Sequence, residues 1–136
     1  MKGHTNDAYS LVELSMSRMA SCSKDKSIII WNTTSFTPIK YLLGHLGAVI
    51  SLASIGAQYL ASGSCDKTIR IWDLTNYTVK SILKRHTDCI NVLSYYNNEF
   101  LLSGSNDKTV AIWNLNTFKY NRTCLLYTSS EPTRRS

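Results

Sequence analysis

No run of about 18 apolar residues occurs in the chain, so the sequence offers no membrane-spanning helix. Its first residues, Met-Lys-Gly-His-Thr-Asn-Asp, lack the apolar centre of a secretory signal. The expectation is an intracellular chain, cytoplasmic with the nucleus as the alternative, that makes no membrane contact. The four cysteines (Cys22, Cys65, Cys89 and Cys124) form no Cys-x-x-Cys pair, and no His stands at ligand spacing from them. A zinc site is therefore not expected, and neither a metal nor another cofactor is called for. The cysteines occupy four different positions within the 41-residue repeat that the chain carries, so they are not a shared device, and unpaired thiols in a reducing compartment are the expectation. Charge is also sparse in pattern. The net +6 is spread thinly, with short basic clusters only at Lys84-Arg85 and Arg134-Arg135. Such pairs read as solvated surface, so nucleic acid is not expected as a partner. Nothing reads as a long amphipathic helix.

What the chain does have is repetition. Its hydrophobic share of 43% is that of a globular protein. Ser62 to Leu74, SGSCDKTIRIWDL, returns as SGSNDKTVAIWNL from Ser103 to Leu115, with nine of thirteen residues identical. The offset is 41 residues and it never slips. Trp31, Trp72 and Trp113 keep it, as do His4, His45 and His86. Asp25, Asp66 and Asp107 keep it too, each followed by Lys. Three units follow: about 1–41, 42–82 and 83–123.

Within the middle unit, four short segments carry β-branched and aromatic residues. They are Ala48 to Ser54, Tyr59 to Ser64, Thr68 to Leu74 and Val79 to Leu83. Turn-formers separate them, at Gly47, Gly56, Cys65-Asp66-Lys67 and Thr75-Asn76. The reading is all-β, with four strands per unit. A four-stranded meander of this size cannot bury both faces alone, so the units must stack.

Units of 40 to 45 residues that open with Gly-His and close with Trp-Asp are the mark of one repeat family. The middle unit shows both, as Gly44-His45 and Trp72-Asp73. The first opens with Gly3-His4, the third has Arg85-His86, and the outer two close with Trp31-Asn32 and Trp113-Asn114. The chain thus resembles the WD40 β-propeller family over residues 3 to about 123. The resemblance implies a partial propeller, about three four-stranded antiparallel blades in an open arc. Rings of this kind carry about four to eight blades. Three units therefore imply a fragment whose remaining blades lie in a longer chain, with two arcs joining into one ring as the alternative.

The recurring polar residues admit two readings. A Ser, a His and an Asp together invite comparison with a hydrolase triad. Three copies of a triad in one small domain, each with a Trp, fit that chemistry poorly. The resemblance instead implies buried hydrogen-bond networks, His45 with Ser62, Asp66 and Trp72 in the middle unit. The flanking sets are His4, Ser21, Asp25, Trp31 and His86, Ser103, Asp107, Trp113. On this reading the chain is not an enzyme and takes no small-molecule substrate.

The resemblance further implies an interaction scaffold that binds proteins or peptides through a rim of loops. The family's rim positions fall on Asp7, Tyr9 and Lys24, on Ala48, Ile50 and Cys65, and on Cys89, Asn91 and Asn106. Tyr9 and Ile50 are the best anchors among them. The other reading of function is a regulatory or substrate-receptor portion of a larger enzyme, such as a ubiquitin ligase or a kinase.

After Thr123 the period fails. The tail CLLYTSSEPTRRS back-translates in frame to a transposon-end adapter used in sequencing libraries, and residues 124–136 are read as a non-native addition, with an ordinary disordered terminus as the alternative.

Overall fold

Each unit of the chain turns back on itself three times. The structure, a computed structural model, describes residues 3–125. Strands β1 (Ala8–Leu14), β2 (Arg18–Ser23), β3 (Ile28–Asn32) and β4 (Thr37–Leu42) form the first sheet. The second holds β5 (Val49–Ile55), β6 (Tyr59–Ser64), β7 (Thr68–Asp73) and β8 (Thr78–Lys84). The third holds β9 (Ile90–Tyr96), β10 (Phe100–Ser105), β11 (Thr109–Asn114) and β12 (Lys119–Leu125). All neighbours pair antiparallel in sequence order, so every blade is a meander.

The hairpins are set by local chemistry. Between β6 and β7, Lys67 takes φ 73°, and its mates Lys26 and Lys108 take 74° and 71°. The preceding Asp makes this left-handed turn affordable for a non-glycine residue, because its carboxylate caps the turn's N–H groups. The strand-end Asn that replaces Asp in the outer units loses nothing. Oδ1 of Asn32 accepts from Thr34 N–H, as Asp73 Oδ1 accepts from Thr75 N–H. Either side chain supplies the oxygen that the turn requires.

The blades stack through the first strands, β1 on β5 and β5 on β9. Two cores result. Ala20, Cys22, Ile28 and Ile30 of the first blade meet Val49, Leu52, Leu60 and Trp72 of the second. Ala61, Ile69 and Ile71 of the second meet Ile90, Leu93, Leu101 and Trp113 of the third. Each fully buried large aliphatic side chain contributes about 1.5–3 kcal/mol, which makes these interfaces the main stabilising terms. At the ends of the stack the same positions lie open. Leu11 is 67% exposed, whereas its period-mates Leu52 and Leu93 are 8% and 9%. Tyr96 is 56% exposed, against 6% for Ile55. The three blades form an open arc with one free sheet face at each end.

One expectation needs correction, and one strand runs longer than its unit. Strand β12 continues two residues past Thr123, where Cys124 and Leu125 pair with Val110 and Thr109. Strand pairing uses backbone groups, so it continues to the residue one period after Lys84 whatever the side chains are. The rest of the tail, 126–136, lies outside the described residues. The cysteines are also not all free, because Cys65 and Cys89 form a disulfide. Their different places in the repeat argued against a shared device. A bond between adjacent blades requires different places, since the end of one unit's second strand meets the start of the next unit's first. Cys22 is buried and free, its thiol pushed up to about 12 by burial; Cys124 is free and exposed.

Candidate interaction rim and the polar network beneath it

In every blade a His from the segment before its first strand reaches over the sheet to a turn Asp. His45 Nδ1 lies 2.8 Å from Asp66 Oδ2, and its Nε2 lies 2.7 Å from Ser62 Oγ. Trp72 Nε1–H donates to the same Ser62 Oγ across 2.8 Å. The third blade repeats this with His86, Asp107, Ser103 and Trp113 at 2.8, 2.7 and 2.9 Å. In the first, His4 joins Asp25 at 3.1 Å and Ser21 at 2.7 Å, and Trp31 donates to Ser21 at 2.8 Å. The structure brings all twelve residues together in three sets of four.

Proton positions follow from what each group can do. A carboxylate only accepts, so His Nδ1 carries the hydrogen and Nε2 accepts from the Ser hydroxyl. The Ser oxygen, having given its hydrogen, accepts from the indole. Every donor has one acceptor, which is the condition for burying such groups without loss. Burial pushes the His45 imidazole below its usual range; Asp66 pulls it back only in part and Arg70 adds to the lowering. The ring is therefore neutral near pH 7, as the relay requires. Burial works against ionisation of Asp66. The Thr68 hydroxyl, the His45 ring and the Leu46 N–H outweigh it and hold the carboxyl at about 2. Asp25 is likewise held at about 2, where the Ser27 hydroxyl and the Thr5 and Ser27 N–H groups overcome burial.

The same geometry bears on chemistry. Ser, His and Asp stand in the order of a hydrolytic triad, but Ser62 and Ser103 are completely buried and Ser21 nearly so. Each hydroxyl oxygen is engaged by an indole N–H, and no substrate atom can approach it. Among the described residues, no three His, Cys, Asp or Glu side chains gather in a way that could hold a metal ion.

Sequence reasoning passed over a second repeated set. Ser27, Thr68 and Thr109 hydroxyls donate to the turn Asp Oδ1, at 2.6, 2.6 and 2.5 Å. Ser23, Ser64 and Ser105 accept from the Asp N–H at 3.0 Å. Their hydroxyls donate to the backbone carbonyls of Asn6, Gly47 and Asp88. These residues keep the 41-residue register, and that was the signal available for them. Gly44 has its own cause. Its φ is +144°, a backbone conformation that side-chain-bearing residues rarely adopt, so a substitution there is strained.

The rim residues lie where β5 enters the sheet from the turn, and at the equivalent places in the other blades. Lys24, Cys65 and Asn106 donate their N–H groups to Asp7, Ala48 and Cys89 carbonyls at 2.9, 2.9 and 3.0 Å. Tyr9, Ile50 and Asn91 are the bulged residues of the first strands. Pairing passes from Ala8 to Ser10, from Val49 to Ser51 and from Ile90 to Val92, leaving each without a partner. A bulge turns a side chain out of the regular alternation of the pleat. Asp7, Tyr9, Lys24, Asn91 and Asn106 are exposed, while Ala48, Ile50, Cys65 and Cys89 are half-buried. Asn91 Nδ2 donates to Asn106 Oδ1, so these two side chains act as one unit.

Known proteins share this architecture. A solved structure of U3-55K has 28% sequence identity and a TM-score of 0.86, over 91% of this chain and 41% of that one. The RRP9 WD40 repeats give 29%, 0.86, 91% and 40%. The WD40 β-propeller domain of Doa1, at 23% identity and TM-score 0.84 over 92% and 43%, shows the fold alone. The chain thus spans about two fifths of the length of these structures. No curated protein matches it in sequence. The family profile described as "WD domain, G-beta repeat" matches residues 1–32, 36–73 and 77–114. The second and third matched segments each begin with the last strand of one blade and end with the third strand of the next, so sequence repeats and sheets are offset by a strand. With well over half of its residues matched, the chain belongs to the WD40 repeat family.

Proposed function

We propose that the chain is a non-catalytic interaction scaffold, part of a larger propeller, that takes a protein or peptide partner on the rim formed by its three bulges. The observation that carries this is the coincidence of Tyr9, Ile50 and Asn91 with the bulged residue of each first strand. Three equivalent side chains are turned out of the pleat by the same backbone device. Each lies beside a turn held by the Asp network, and loops fixed on a rigid sheet are where recognition residues sit. The buried serines support the non-catalytic reading. The open sheet faces at Leu11 and Tyr96 support further blades beyond the three described.

The test places a photoreactive phenylalanine analogue at Ile50 in one version of the chain and at the outer-strand residue Ile82 in another. In extracts, the Ile50 probe should join a defined set of proteins that the Ile82 probe does not, and Tyr9→Ala should weaken that capture. Equal capture from both positions contradicts the assignment of the rim.

A further inference from the structure

The bond between Cys65 and Cys89 joins two blades, and both residues are rim positions. Cys65 precedes the turn Asp66 and Cys89 immediately precedes β9. At the junction of the first and second blades, the same two places are held by Lys24 and Ala48. The repeat therefore builds this junction without a covalent link, and the fold does not require one here. Both cysteines are half-buried, whereas Cys22 is sealed in the core. Each also belongs to a rim hydrogen bond, from Cys65 N–H to Ala48 and from Asn106 N–H to the Cys89 carbonyl.

We propose that Cys65 and Cys89 are a reversible thiol–disulfide site, opened and closed by exchange with glutathione, that clasps the second blade to the third on the rim. Its chemistry stands on the pair itself; only its effect on a partner rests on the proposed rim function. To open the clasp, a glutathione thiolate attacks one sulfur of the bridge. The protein S–S bond breaks, and the other cysteine leaves as a thiolate and takes up a proton. A second glutathione thiolate attacks the glutathione sulfur of the mixed disulfide, releasing the remaining cysteine and glutathione disulfide. Two glutathiones are oxidised, one protein disulfide is reduced, and closure is the reverse. Closed, the bridge ties two rim positions together. Open, it presents two thiols in their place and leaves the junction to noncovalent packing.

The 136-residue chain is equilibrated across a series of reduced-to-oxidised glutathione ratios, quenched with acid, denatured, alkylated and weighed intact. The alkylated mass should fall by two groups in one step as oxidised glutathione increases, with peptide mapping placing the bridge between Cys65 and Cys89. Cys65→Ser and Cys89→Ser should each abolish the step. Amide exchange at Cys65 and Asn106 should speed up several-fold on reduction of the wild-type chain and ignore redox state in either variant. A chain that never forms this bridge, that bridges other cysteines, or that exchanges identically in both states overturns the proposal. The wild-type measurements decide it even where a variant folds poorly. None of the readouts involves a partner, so the rim function can fail in its own crosslinking test and leave this result standing.

Discussion

Ser62 Oγ lies 2.7 Å from His45 Nε2 and 2.8 Å from Trp72 Nε1, between a strand residue and a residue of the inter-blade link. One hydroxyl thus joins the second strand, the third strand and the chain arriving from the preceding blade. Ser62→Ala removes the acceptor of a buried indole N–H and the donor to a buried imidazole. The expected cost is about 1–3 kcal/mol, read as a lower denaturation midpoint. His86→Ala should cost about 1–3 kcal/mol by leaving the Asp107 carboxylate and the Ser103 hydroxyl without their partner. Midpoints equal to wild type would remove the network from the account.

Inter-blade spacing gives a matched pair of substitutions. A Cβ on Gly63 would stand 2.7 Å from Ile90 Cγ2 and 2.5 Å from Ser51 Oγ, whereas on Gly104 the nearest atom is Val92 Cβ at 3.7 Å. Gly63→Ala therefore forces the second and third blades apart, at a cost of about 1–3 kcal/mol. Gly104→Ala faces the open end of the arc and should cost less. Denaturant midpoints of the two variants, measured side by side, check the ordering.

Stability should fall with pH in two intervals. The His45 imidazole is held below its usual range, so the unfolded chain binds a proton near pH 6.5 that the folded chain refuses. Stability from this group is complete above that pH and declines as pH drops through it. The carboxyls of Asp25 and Asp66 are held at about 2, so a second decline runs from about pH 4 down to about 2. Thermal midpoints across pH 2 to 8 check both. A flat profile between pH 7 and 5 would contradict a buried neutral imidazole.

The two open sheet faces predict association. Leu11 and Tyr96 occupy positions that are buried where a neighbouring blade is present, and exposed apolar faces of this kind drive contact between molecules. Sedimentation velocity over a concentration series should show species larger than a monomer. Leu11→Lys with Tyr96→Lys should shift them back. A wild-type chain that stays monomeric at every concentration contradicts this.

Much of the architecture was legible because a repeat multiplies weak signals. One Trp says little, but Trp31, Trp72 and Trp113 at a constant offset mark the third strand of every blade. Strand β6 falls on the residues expected from its pattern, Tyr59–Ser64, since turn-formers bound it on both sides. What escaped was relational. The bulges at Tyr9, Ile50 and Asn91 are mismatches between two strands, and no single strand's sequence contains them. The Cys65–Cys89 bridge depends on which unit positions meet across a junction, which the period alone does not state. The serines that hold the Asp turns kept the register but look like ordinary turn composition.

The most direct test watches the three indole N–H protons by nuclear magnetic resonance in deuterated solvent. Hydrogen bonding to buried serines predicts exchange far slower than for a free indole at all three. Trp31, on the open face of the first blade, should exchange faster than Trp72, which is enclosed between two blades. Free-indole rates at Trp72 and Trp113 would show that the groups taken as the lock of each blade are open to water.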